Sequence, residues 1–129
     1  MLFKGDAFWS PVDEISKIDC YYEEKWIEGL NQRDVTVADK IFDPDCKIYI
    51  TGEKEHLNVD KFKKKVEGDL KNLPTNTKFK IVDQIIGDNK FAFRWEANGS
   101  DAEKEIRKEG LIIDHIAKGK IVKRWERYD

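Results

Sequence analysis

The chain has 129 residues, 39% of them charged and 40% hydrophobic, with seven Phe, four Tyr and four Trp. One domain over residues 1–129, with residues 1–10 as an N-terminal extension, is the simplest reading, because a chain of this length buries about two-thirds of its unfolded surface. A formal net charge of −2 lacks the basic excess of a nucleic-acid binder, and no apolar run approaches a membrane span.

Met1 to Trp9 is too short, and too interrupted by Lys4 and Asp6, for a signal h-region. Cys20 and Cys46 have no ligand spacing and read as small buried hydrophobes, so the expected setting is reducing and cytoplasmic. Ser10-Pro11-Val12-Asp13 starts a helix: Ser can cap, Pro fits the first helical position and Asp favours the positive dipole end. Ile15, Ile18, Tyr22, Trp26 and Leu30 form its apolar stripe to about Asn31, leaving Glu23, Glu24, Lys25 and Glu28 mostly toward solvent. Asn31-Gln32-Arg33-Asp34 breaks that pattern, and Val35 to Phe42 reads as a short second helix stopped by Asp43-Pro44-Asp45.

Cys46 to Thr51 alternates as a strand, and Gly52 to Glu55 is a polar turn. Asn58 caps a third helix in which Val59, Phe62, Val66, Leu70 and Leu73 keep helical spacing, while Lys61, Lys63, Lys64 and Lys65 form a solvated face. Pro74 ends it. Four strands follow, Lys78–Ile86, Lys90–Asn98, Glu103–Ile116 and Lys120–Asp129, with turns at Gly87-Asp88-Asn89, Asn98 to Asp101 and Lys118-Gly119. Helices first and a strand meander later predict an α+β domain whose curved antiparallel sheet wraps the helices.

Asn31-Gln32-Arg33-Asp34, Asp43-Pro44-Asp45, Phe91-Ala92-Phe93-Arg94-Trp95-Glu96-Ala97-Asn98-Gly99 and the closing Gly119-Lys120-Ile121, Trp125 and Asp129 occur in an order that resembles the SnoaL-like polyketide cyclases. These share the cone of the nuclear transport factor 2-like (cystatin-like roll) superfamily. The resemblance covers most of the chain. It implies a small-molecule cavity, a homodimer, no cofactor, and an acid/base Asp at the end of the last strand.

Strand parity places Arg94, Glu96 and Asn98 on one face and Phe93, Trp95 and Ala97 on the other; Ile121, Lys123, Trp125, Arg127 and Asp129 share a face unless a bulge intervenes. The catalytic expectation is that Arg94, Glu96 and Asp129 converge inside the cone. Burial would tune one carboxyl toward proton transfer while Arg94 keeps the other ionised. The alternative is a structural Arg94–Glu96 ion pair and a frayed terminus, in a ligand-binding or dimerisation module without catalysis. Tyr22, Trp26, Tyr49, Phe62, Val66, Leu70 and Trp125 are expected to line an apolar pocket for a small hydrophobic ligand, with Phe3, Phe8 and Trp9 over its mouth or on a partner subunit.

Similarity to limonene-type epoxide hydrolases implies a further alternative, in which Arg94-Trp95-Glu96, Asp129 and Tyr49-Ile50-Thr51 would position water. Glu and Thr there depart from the Asp and Asn of that pattern. His56 and His115 have no metal-ligand spacing, and Asp114 faces away from His115, so neither a metal site nor a dyad is expected.

Overall fold

The structure is a computed structural model that describes residues 9–128, with side chains described from Tyr21 onward. The long helix α1 spans Trp9–Gln32, and its apolar positions Tyr22, Trp26, Ile27 and Leu30 are buried. Arg33 takes a left-handed φ of 59° to close it, and Asp34 accepts from the Thr36 N–H to start a 3-10 turn over Val35–Val37. The single turn α2 follows at Ala38–Ile41. The expected caps and lid residues before Tyr21 lie outside the described side chains, as does Cys20; Cys46 is buried.

The first strand begins earlier than expected. β1 runs Phe42–Ile50, straight through Pro44. Two features permit this: β1 is an edge strand, and its register with its neighbour shifts between Phe42 and Lys47, so Pro44 has no ladder bond to lose. The third helix α3, Val59–Lys71, is capped by the Asn58 side chain, which accepts from the Lys61 N–H at 2.8 Å. Strands β2 (Lys78–Gly87), β3 (Lys90–Ser100), β4 (Glu105–Ala117) and β5 (Lys120–Tyr128) form the meander, with left-handed Asn89, Lys118 and Gly119 at its tight turns.

The sheet order is β1-β5-β4-β3-β2. It is antiparallel except at β1 and β5, which run parallel. Its inner face packs on the helices through Phe91, Phe93, Trp95 and Ala97 of β3, Ile112 of β4 and Ile48 and Ile50 of β1, all buried. Trp26 stacks on Phe62 at 5.3 Å, and Phe42 meets Phe62 edge-on at 5.7 Å, joining α1, α3 and β1 in one aromatic cluster. Asn31 pins α1 to the sheet by donating to the Phe79 carbonyl and accepting from the Phe79 N–H. The result is the α+β cone with a curved, unclosed sheet.

Candidate functional site

The meander sets which side chains enter the cone. Ile112 pairs with Glu126 and Asp114 with Arg124, and directly opposed residues share a face, so all four point inward. The register slips at His115/Ile116 in β4, and β1 slips at the same level. Ile121 and Arg124 are therefore both buried, and the alternation inverts between them. Past that irregularity Arg124, Glu126 and Tyr128 face the interior, while Lys123, Trp125 and Arg127 face out.

Arg124 and Asp114 are fully buried, and their pairing is bidentate: Nε donates to Asp114 Oδ1 and Nη2 to Oδ2, both at 2.7 Å. The guanidinium lies against two rings, 5.0 Å from the Trp26 centroid and 4.8 Å from Phe42. Its remaining Nη1 donates to Glu126 Oε2 at 3.2 Å. One cation thus serves two carboxyls. Burial pushes Asp114 above its ordinary value, and the charge and hydrogen bonds of Arg124 oppose it. Burial draws Arg124 down, but Asp114 and Glu126 outweigh it and hold the group protonated.

Glu126 is the third member. Burial raises its carboxyl from 4.5 to about 7, Arg124 pulls the other way, and the charge of Asp114 raises it further. Arg124 is already neutralised by Asp114, so ionising Glu126 leaves the cluster with a net negative charge in an apolar surround.

Glu126 opens on a cavity of about 570 Å³. Trp26 and Leu30 of α1, Val66 and Leu70 of α3, and Phe79, Trp95 and Ile112 of the sheet supply apolar wall, with Asp69, Lys108 and Tyr128 among its polar lining. The Tyr128 hydroxyl donates to Asp69 Oδ2 at 3.4 Å, and burial followed by the charge of Asp69 pushes its phenol well above the ordinary value.

The residues singled out from sequence are distributed differently. Trp26, Val66 and Leu70 line the cavity. Tyr22 and Phe62 are core: Tyr22 donates to the Gly119 carbonyl at 2.8 Å, and Phe62 is fully buried beneath Trp26. Tyr49 and Trp125 stack on each other at 5.4 Å on the outer sheet face, away from this cavity, and Trp125 meets His115 there at 4.7 Å. The irregularity in β5 is what turns Trp125 outward.

Arg94 and Glu96 also face out, paired at 3.6 Å with Arg107 joining Glu96 at 3.7 Å, and neither lines the cavity. Asp129 lies outside the described residues. Of the water-positioning set implied by the epoxide hydrolase resemblance, Arg94, Glu96 and Tyr49 therefore face away from this cavity. Glu23, expected toward solvent, is buried instead. Asp114, Arg124 and Glu126 were missed, although a lone Asp inside the apolar run Leu111-Ile112-Ile113-Asp114-His115-Ile116 signals a buried charge that needs a partner.

Among solved structures, AclR, a proposed hydroxylase of Streptomyces galilaeus, superposes with a TM-score of 0.76 at 14% identity, covering 89% of this chain and 80% of its own. IdmH, a proposed polyketide cyclase of Streptomyces antibioticus, gives 0.72 at 15% identity over 85% and 91% of the two chains. A SnoaL-like protein of Jannaschia sp. CCS1 gives 0.76 at 7% identity over 98% and 92%. At these identities the likeness carries the fold alone. No curated protein matches this sequence significantly. The SnoaL-like polyketide cyclase family model, however, matches residues 21–129. The chain therefore belongs to the SnoaL-like polyketide cyclase family.

Proposed function

We propose that this protein is a cofactor-independent acid/base enzyme, an isomerase, cyclase or dehydratase acting on a hydrophobic carbonyl compound, with Glu126 as its proton carrier. The observation that carries this reading is the Glu126 carboxyl, held at 3.2 Å by an Arg124 already committed to Asp114, in the wall of a largely apolar cavity. Its raised value near 7 leaves comparable amounts of acid and base at neutral pH, the condition for efficient proton transfer in both directions.

The carboxylate removes a proton α to the substrate carbonyl, and the electron pair moves onto the carbonyl oxygen as an enolate. Tyr128, two residues along the same strand face, lines the cavity, and its hydroxyl, on turning from Asp69, would donate to that oxygen. Glu126 then returns the proton to a different carbon in an isomerisation. In a dehydration it gives the proton to a departing hydroxyl. For ring closure, the enolate carbon attacks a second carbonyl, and Glu126 protonates the resulting alkoxide.

The test is exchange of α-protons for deuterium in a polycyclic ketone, followed by NMR with wild type, Glu126→Gln and Asp129→Asn. Loss in E126Q alone supports the assignment, and loss in D129N alone moves the proton carrier to the chain end. A ketone that binds without exchange in wild type makes the domain a ligand-binding module.

We further infer that the outer sheet face mates with a second copy of the chain. Leu111 and Ile113 are 45% and 40% exposed there beside the Tyr49–Trp125 stack, an apolar patch with charged Arg94, Glu96 and Arg127 around it. Sedimentation should give a dimer for wild type and a monomer for Ile113→Lys; a monomeric wild type excludes this interface.

A further inference from the structure

The cavity has a second polar end. Along the inner face of β4 the residues run Asp114, Ile112, Gly110, Lys108 and Ile106, because Lys108 lies opposite Ala97 and Gly110 opposite Trp95, both inward-facing. Ile112 is the partner of Glu126. Lys108 therefore sits four residues beyond the level of the proton carrier, ~13 Å along the strand.

Between these two levels lies a flat aromatic floor. A Cβ added at Gly110 would run into the Trp95 indole, so the ring lies across the glycine and occupies the place of its side chain. Trp95 lines the cavity and is itself 8% exposed.

Lys108 is half-buried and lines the same cavity. Among the described residues it takes part in no ion pair. The other charged groups at that end are differently placed. Arg107 pairs outward with Glu96, Asp69 accepts from Tyr128, and Lys104 and Glu105 are exposed on the rim. A cation at the edge of an apolar floor, with no carboxylate of its own, suits a ligand that brings one.

We propose that the substrate is a flat apolar carbonyl compound that carries a carboxylate, with its ring system on Trp95, its reacting carbonyl at Glu126 and its carboxylate on the Lys108 ammonium. Which end reacts rests on the acid/base reading of Glu126; the carboxylate contact does not. Lys108 is on this account the residue that sets specificity and orientation, and it takes no part in the proton transfer.

The test compares two probes that differ only in the carboxylate, 6-acetyl-2-naphthoate and 2-acetonaphthone, by calorimetric titration at pH 8. Wild type should bind the naphthoate about tenfold more tightly, an advantage that falls as salt rises. Lys108→Met should erase that advantage and leave 2-acetonaphthone affinity unchanged, which also verifies that the cavity is intact. Lys108→Arg should retain it, and Lys47→Met on exposed β1 should have no effect. Equal binding of the two probes by wild type, a preference that survives K108M, or failure of both to bind would each overturn the proposal. Failure of the acid/base reading looks different: E126Q would then exchange α-protons as wild type does, with the carboxylate preference unaltered.

Discussion

Replacing Glu126 by Gln should change the pH dependence of folding in a direction opposite to that of most carboxylates. The carboxyl goes from 4.5 in the unfolded chain to about 7 in the fold, raised by burial in the company of Asp114. The fold therefore favours the protonated form. Its contribution is fully present below pH 4.5 and is lost as pH rises through about 7. At 1.36 kcal/mol for each pH unit between those values, the loss amounts to about 3 kcal/mol. Gln keeps an oxygen to accept from Arg124 and cannot ionise, so E126Q escapes the loss. Urea unfolding followed by tryptophan fluorescence at pH 4.5, 6 and 8, with wild type and variant side by side, isolates this group together with its coupling to Asp114, because titrations elsewhere in the chain cancel in the difference. The stability of E126Q relative to wild type should climb by about 3 kcal/mol across that range. A difference independent of pH would refute the reasoning, since it would mean that Glu126 ionises in the cone as readily as in water.

Arg124→Met should be far more damaging than a surface change. It leaves Asp114 buried without a cation, at a cost of roughly 3–5 kcal/mol in urea unfolding, and Asp114→Asn/Arg124→Met together should cost less than R124M alone. Gly110→Ala sets a methyl against the Trp95 indole; thermal denaturation should report a loss of about 1–3 kcal/mol, accompanied by weaker binding of aromatic ligands. Burial raises the Cys46 thiol to about 12, so under native conditions Cys46 should resist a disulfide exchange reagent at pH 8 and react at once in denaturant.

Most of the architecture was legible because it rests on local periodicity. Tyr22, Trp26 and Leu30 repeat at helical spacing on α1, Asn58 caps α3, and Asn89, Lys118 and Gly119 mark hairpin turns. The parallel pairing of β1 with β5 and the extension of β1 through Pro44 were not legible, since both depend on which distant strand lies alongside. The buried Asp114–Arg124–Glu126 cluster was not legible for a related reason. Alternation carried from Ile121 puts Trp125 in the cone, and a single irregularity before Arg124 reverses it. With it, Arg124 and Glu126 change from solvent-facing charges to the buried cluster. Parity in β3 was read correctly, but it could not say which face was the inside. The helices decide that, by covering Phe93 and Trp95 and leaving Arg94 and Glu96 to each other.

The most direct test of the central claim is the titration of the Glu126 side-chain carboxyl itself, followed by ¹³C NMR in protein labelled at glutamate and assigned by its absence in E126Q. The account predicts a midpoint near 7. A midpoint at the ordinary glutamate value of about 4.3 would contradict it, and would leave the cavity without the proton carrier on which the proposed chemistry depends.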